Sequence, residues 1–597
     1  MVRRLAQICI LAAGLVALAG ASSAQAARQP FTVQTLHFAT HVGPSRSTTC
    51  DVVGDLYRPR SATRRHPEPA ILTTNGFGGS KDDQKTEAET YARHGYVVLS
   101  YSGLGFGGSG CKIELDDPAW DGRAAAQLIR FLGGGGRSTD GTRVNYVIHD
   151  RRAVNGRHYK HDPRVGMIGG SYGGQIQFAA AQATPRLDTI IPIITWNDLA
   201  YSLVPNNSAF DNGVSSSVPG IAKFEWATLF FSEGALVDGI TGLDNDPSRV
   251  TDCPNYDPGV CPAFVKNASF GYPDAQTVNL LRHASVSSYM NKIRIPTLLA
   301  QGENDTLFNL HEAAATYEAL RHRHVPVSMI WQSWGHSSLG PAPGEINQAH
   351  PYRTYEGRRF ARWFGYYLKH TGRKPPHDFC YFRDWVRYTG IATPAYSCAN
   401  RYPLARTKRY WLSGADALVA RRGSAKTGSA SFATSPAGAA TSYSETSGSG
   451  IVAGGDPAPP SDVPGAFASF STPALKHDLK VVGVPTLRVR ITDPVQAAGG
   501  GDPSTQATLF FKLYDIAPDG TITLPDRLVS PVRVPQVGRP ISVSLPGIVH
   551  RFPKGDRLEL VVAGGDQAYR GNTASSPVTV ETNGEHPARL RLPLAGR

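Results

Sequence analysis

Several things are scarce in this chain of 597 residues, and each scarcity removes a class of function. Charged residues make up only 18% while hydrophobic ones reach 41%, so a disordered chain is excluded. No glycine triplet or heptad bias exists, which excludes collagen-like and coiled-coil chains. No internal repeat is found, so a solenoid or propeller is not expected. After the first two dozen residues no apolar run is long enough to cross a bilayer. No CxxC pair occurs among the seven cysteines, which argues against a structural zinc site. The net charge is +13, but Lys and Arg are scattered and no RNA- or DNA-binding motif appears. A nucleic-acid partner is therefore not expected, and the surplus is read as solvated surface.

What is present begins with an address. Arg3 and Arg4, an apolar run over residues 8–18 and Ala24-Gln25-Ala26 have the order of a secretory signal peptide, assigned to residues 1–26. No cysteine follows closely enough for a lipid anchor, so the mature protein is expected to be secreted or held in a cell envelope without a membrane anchor. Cys9 leaves with the signal. The other six are Cys50, Cys111, Cys253, Cys261, Cys380 and Cys398. In an oxidising compartment they read as disulfides. Proximity favours Cys253–Cys261 and Cys380–Cys398, which leaves Cys50–Cys111.

From about residue 70 the pattern alternates strand, glycine-rich turn and helix. Apolar runs at 70–74, 96–101, 164–169, 190–195 and 296–301 are near-continuous, as in a parallel sheet covered on both faces. Residues 197–294 interrupt this rhythm and read as an inserted cap, rich in aromatics and proline. A helix with Phe360, Trp363, Phe364, Tyr367 and Leu368 on one stripe closes the region. Beyond residue 396 strict alternation takes over, as in Leu487, Val489 and Ile491 between arginines, which indicates a β-sandwich. Residues 421–464, rich in Ser, Gly, Ala, Thr and Pro, read as a long surface loop. The expected architecture is α/β: a catalytic domain over 27–396 and an all-β domain over 397–597.

Gly169-Gly170-Ser171-Tyr172-Gly173 fits G-x-S-x-G between a strand and a helix. A nucleophilic serine on so tight a turn needs glycines where side chains would clash. Serine needs a base and an orienting acid, which in this architecture follow in the order Ser, acid, His. Asp305 stands just after the strand at 296–301, with Glu303 as its rival. His336 follows the strand at 327–330, whereas His322 and His324 read as surface. Gly103-Leu104-Gly105-Phe106-Gly107-Gly108 matches GxGxxG, but no helix follows to hold a pyrophosphate, so no dinucleotide is expected. No cofactor or metal is implied.

The stretches 169–174, 302–308 and 334–336, the turn 101–110, and the segments 467–473 and 509–520 together resemble the X-prolyl dipeptidyl-peptidase and cocaine-esterase family. The resemblance spans most of the mature chain. It implies an α/β-hydrolase with an inserted cap, followed by a jelly-roll domain. It implies hydrolysis of an ester or amide through an acyl-serine, with Ser171 as nucleophile, His336 as base and Asp305 as orienting acid. The backbone N–H of Tyr172 and a donor from the 75–79 loop would hold the oxyanion. Members commonly place a tyrosine there, and the nearest match is Phe77, which has no hydroxyl.

An Xaa-Pro dipeptidyl-peptidase stands first among the activities and an esterase or acylase of the cocaine-esterase type second. A secreted carbohydrate-binding protein is the reading from another class. A peptidase needs a carboxylate for the substrate's free amine, and Asp198, Glu225 and Glu233 are candidates. Trp196, Trp226, Trp331 and Trp334 are candidates for an apolar or proline pocket. The partner is a small-molecule or peptide substrate, and the sequence leaves a homo-oligomer open.

Overall fold

The computed structural model describes residues 29–436 apart from 339, then 441–444 and 459–596. The signal-peptide assignment lies outside these residues. No described helix is long and apolar enough to cross a membrane.

Among the described residues ten strands form the first sheet. β1 (Phe31–Val42) and β2 (Thr48–Pro59) make an antiparallel hairpin in continuous register from Phe31 opposite Pro59 to Val42 opposite Thr48. β3 (Ala70–Thr74), β4 (Val97–Tyr101), β5 (Val165–Gly170) and β6 (Thr189–Ile193) follow, each almost wholly buried. A two-strand hairpin of the cap, β7 (Phe210–Asn212) and β8 (Ser215–Ser216), stands apart from the sheet. β9 (Thr297–Gly302), β10 (Val327–Gln332), β11 (Phe379–Tyr381) and β12 (Ser397–Ala399) complete it. The order is β1-β2-β4-β3-β5-β6-β9-β10-β11-β12. Pairing is parallel from β4 through β11 and antiparallel at both ends. This is the α/β-hydrolase sheet. Double-sided burial explains the unbroken apolar runs.

The helices Asp121–Leu132 and Tyr172–Ala183 pack against one another. The helix Tyr355–Tyr367 buries Phe360, Trp363 and Phe364 among residues such as Ile168 and Ile191 of β5 and β6. Gly166 permits that approach, because a Cβ there would stand 2.8 Å from the Phe364 ring. The cap between β6 and β9 is mainly helical, with Phe224–Ser232, Val260–Phe270 and Ala275–His283 as its longer helices.

The second sheet has fourteen strands among the described residues and opens with Arg406–Ser413. In Thr486–Thr492, Leu487, Val489 and Ile491 point inward and Arg488 and Arg490 outward, the alternation of a sandwich layer. One expectation fails here. Gly428–Ala433, assigned to a loop, is a strand paired with Pro577–Thr582. Its Gly, Ser and Ala residues have weak strand propensity, and only cross-strand pairing supplies the order. The C-terminal domain docks on the cap and on the helix Leu310–His322. The Asn207 N–H donates to the Pro531 carbonyl at 3.0 Å, and the His311 ring meets the Leu545 carbonyl at 2.9 Å.

The six cysteines stand as Cys253–Cys261 and Cys380–Cys398, the two pairs that proximity favours, and Cys50–Cys111, the pair that remains.

Candidate active site

Ser171 sits between β5 and the helix Tyr172–Ala183 with φ +56° and ψ −120°, a conformation that costs a non-glycine residue about 1–3 kcal/mol. The flanking glycines are sterically required. A Cβ on Gly169 would stand 2.7 Å from the Gly173 carbonyl oxygen, and one on Gly173 would stand 2.6 Å from that of Thr74. The turn therefore lifts the hydroxyl over the C-terminal ends of the parallel strands.

Two other strand ends complete the group. Asp305 follows β9 and is fully buried. His336 follows β10. Its Nδ1 lies 2.8 Å from Asp305 Oδ2, and its Nε2 lies 2.8 Å from Ser171 Oγ. A carboxylate can only accept, so Nδ1 carries the proton and Nε2 presents a lone pair to the serine hydroxyl. Asp305 Oδ1 accepts the N–H groups of Leu307 and Phe308 at 3.0 and 2.8 Å, which fixes its plane.

The acid and base loops are latched together. The Thr306 N–H donates to Ser337 Oγ at 2.9 Å, the Trp226 indole donates to Thr306 Oγ1 at 3.1 Å, and Lys223 bonds the Thr306 carbonyl. Phe308 stands edge-on to the His336 ring at 5.1 Å. None of these contacts is visible as a motif, although the aromatic density at 224–231 marks the cap as the place to look.

As the first helical residue after the elbow, Tyr172 has a backbone N–H with no intrahelical acceptor. The loop 75–79 runs beside it, and a Cβ on Gly76 would stand 3.9 Å from Ser171 Cβ. The Asn75 side chain pins this loop, accepting from the Gly103 N–H at 2.9 Å and donating to the Gly76 carbonyl at 2.7 Å. Phe77 offers only its backbone N–H. Its ring packs against Phe106 at 5.1 Å and Phe230 at 5.0 Å.

Above the serine lies a cavity of about 130 Å³, walled among others by Phe77, Trp196, Phe230, Phe264, Leu281 and Phe308. Among the described residues no charged side chain lines it. Trp196 lines it, its indole donating to the Ala284 carbonyl at 3.2 Å.

Asp198 and Trp334 do not line it, which corrects their assignment to the substrate pocket. Asp198 is fully buried, caps the helix Leu199–Leu203 through the Ala200 N–H at 2.9 Å, and pairs with Arg282 at 3.2 Å. Trp334 donates its indole N–H to Glu356 at 3.2 Å. Trp331 is buried against Phe379 and Tyr402. Glu303, the rival acid, accepts the Phe382 N–H at 2.9 Å. Glu225 lies where the cap meets the C-terminal domain, and burial, helped by Asp566, raises its carboxyl above the usual range. Glu233, the third amine-anchor candidate, lies against the 75–79 loop, with Oε1 3.2 Å from the Cβ position of Gly78.

Residues 50–223 match the X-Pro dipeptidyl-peptidase (S15 family) profile, and residues 399–590 match the X-Pro dipeptidyl-peptidase C-terminal non-catalytic domain. The first match ends before Asp305 and His336, so their placement rests on the geometry above. No curated protein matches the sequence. Among solved structures, an aminopeptidase from a marine sediment Thaumarchaeota archaeon superposes with a TM-score of 0.64 at 14% identity, covering 95% of this chain and 97% of that one. An α-amino acid ester hydrolase gives 0.60 at 14% identity over 97% and 100%. A CocE/NonD family hydrolase from Staphylococcus aureus gives 0.57 at 14% identity over 94% and 96%. At such identities these structures speak to the fold.

Proposed function

We propose, from the premise that this chain belongs to the X-Pro dipeptidyl-peptidase and CocE/NonD family of hydrolases, that it is an exported serine esterase acting on esters with an apolar acyl group. The observation that carries this reading is the cavity above Ser171, which no charged side chain among the described residues lines. Each methylene of an acyl chain buried there contributes about 0.8 kcal/mol, roughly fourfold in binding. A free α-ammonium group in the same space would lose its hydration with no carboxylate to replace it.

In the proposed reaction Ser171 Oγ attacks the ester carbonyl carbon while its proton passes to His336 Nε2. The developing oxyanion is held by the N–H groups of Tyr172 and Phe77. Collapse breaks the C–O bond, the alkoxide takes the proton from His336, and an acyl-serine remains. Water then attacks the acyl carbon, its proton again passing to Nε2, and the acid leaves as Ser171 is restored. Asp305 holds the ring in the required tautomer and stabilises the imidazolium. The three disulfides fit an oxidising, extracytosolic location.

Glu233 beside Gly78 favours a second reading, an Xaa-Pro dipeptidyl-peptidase whose substrate amine stops at the cavity mouth. Hydrolysis of p-nitrophenyl octanoate, p-nitrophenyl acetate and an Xaa-Pro anilide by the wild type and Ser171→Ala separates the two. A Ser171-dependent preference for octanoate supports the esterase. Dominant anilide cleavage, lost in Glu233→Gln, replaces it with the peptidase.

A further inference from the structure

Two residues precede the Gly335-His336 step, and each is held by a different buried glutamate. Ser333 is held by Glu345, which accepts its backbone N–H at 3.0 Å and its hydroxyl. Glu345 also accepts the Ala342 N–H at 2.8 Å and the Tyr396 hydroxyl at 2.6 Å. Four donors therefore converge on one carboxylate, which acts purely as acceptor. Trp334 is held by Glu356, whose oxygens lie 3.2 and 3.3 Å from the indole nitrogen. Glu345 and Glu356 are both fully buried.

Tyr396 joins the two glutamates, and its single proton decides the arrangement. Its oxygen is 2.6 Å from Glu345 and 3.3 Å from Glu356. The shorter contact takes the phenolic proton. The longer one then brings together two oxygens with no proton between them, unless Glu356 supplies it. With Tyr396 donating across the shorter contact, the chain of donors runs from the Glu356 carboxyl O–H to Tyr396 and from Tyr396 to Glu345.

We propose that Glu356 is a positioning residue that acts as a neutral carboxylic acid: together with Tyr396 and Glu345 it fixes Ser333 and Trp334, and so the loop that aims His336 at Ser171. The role rests on the serine–histidine–aspartate reading of the site. Ionisation of Glu356 would set two buried carboxylates against one tyrosine and loosen that loop, giving activity an alkaline limit that does not arise in the triad.

Among the described residues no cation acts on Glu356 itself. Around the pair stand Glu303, Tyr388, Tyr355 and Tyr396, and Tyr355 stacks on Tyr396 at 3.6 Å. Arg359, one turn along the same helix, is engaged by Asp378 at 3.1 Å. Burial, with Glu345 adding to it, raises the Glu356 carboxyl well above the usual range.

The test is the rate at which a fluorophosphonate inactivates the intact enzyme as a function of pH. This readout depends on the serine and histidine and not on the natural substrate. Glutamine mimics the protonated acid. Glu356→Gln is expected to keep the neutral-pH rate and to move the alkaline limb upward by about one pH unit or more. Glu356→Ala, which frees the indole, is expected to be slow at all pH values. Superimposable profiles of the wild type and Glu356→Gln would overturn the proposal, as would a glutamine variant as slow as the alanine one. Infrared difference spectra serve if a variant folds poorly. The wild type should show a protonated-carboxyl band at neutral pH that vanishes on alkaline titration and is absent in Glu356→Gln. No such band would equally overturn it. Failure to label the wild type at any pH would instead refute the serine hydrolase reading.

Discussion

Acid should weaken the hold between the catalytic and C-terminal domains through one histidine. His311 is buried on the helix Leu310–His322, with Nε2 2.9 Å from the Leu545 carbonyl and Nδ1 2.8 Å from the Tyr201 hydroxyl. The Leu545 carbonyl can only accept, so Nε2 carries the proton of the neutral ring, while the Tyr201 hydroxyl also reaches Asn207 Oδ1 at 2.7 Å. Burial pushes its pKa down from 6.5 to about 4, against the opposing pull of the Leu545 carbonyl. A folded-state value below the unfolded one means that the unfolded chain binds the proton first. The stability from the neutral ring is whole above about pH 6.5 and is lost as the pH falls toward 4. At 1.36 kcal/mol per unit the full shift amounts to about 3 kcal/mol. Gln keeps a donor for the Leu545 carbonyl but does not titrate. Urea unfolding from pH 7 to 4 should therefore show the wild type losing about 3 kcal/mol more than His311→Gln. Parallel pH slopes for the two proteins would refute the reasoning.

Other expectations concern the site and its supports. Asp305→Asn would offer His336 Nδ1 an N–H in place of an acceptor, so kcat for an ester should fall by about 10⁴-fold with little change in Tm. Replacing Cys50 and Cys111 by alanine removes a cross-link spanning 61 residues, which by loop entropy costs about 4 kcal/mol, whereas Cys253–Cys261 spans only 8 and should cost about 2.5 kcal/mol. Denaturant midpoints of the two double variants should rank in that order. Ala263→Phe narrows the cavity and should lower the octanoate-to-acetate ratio of kcat/KM by more than about tenfold, because several methylenes lose their apolar wall.

The catalytic geometry was readable in the sequence where a local constraint governs it. The glycines around Ser171 are forced by backbone contacts of 2.6 and 2.7 Å, and the apolar runs follow from strands covered on both faces. Asp305 and His336 could be placed because each follows such a run. Cysteine pairing was legible because two pairs are near in sequence and the third follows by elimination. The substrate side was not. Asp198 is an acidic cap residue whose fate is set by Arg282, 84 positions away, and Trp334 is claimed by Glu356 on another element. The strand Gly428–Ala433, weak in its own propensity, exists through pairing with Pro577–Thr582, distant in the chain. His311 meets a carbonyl 234 residues on, across a domain boundary that no local pattern encodes.

The claim on which everything else depends is that Ser171 carries the acyl group of an apolar ester. Mass spectrometry of the enzyme quenched with acid during turnover of p-nitrophenyl octanoate tests it directly. The expected result is an octanoyl adduct on the peptide that contains Ser171, absent in Ser171→Ala. Turnover by the wild type with no adduct there, or an equal adduct on the Ser171→Ala protein, would contradict it.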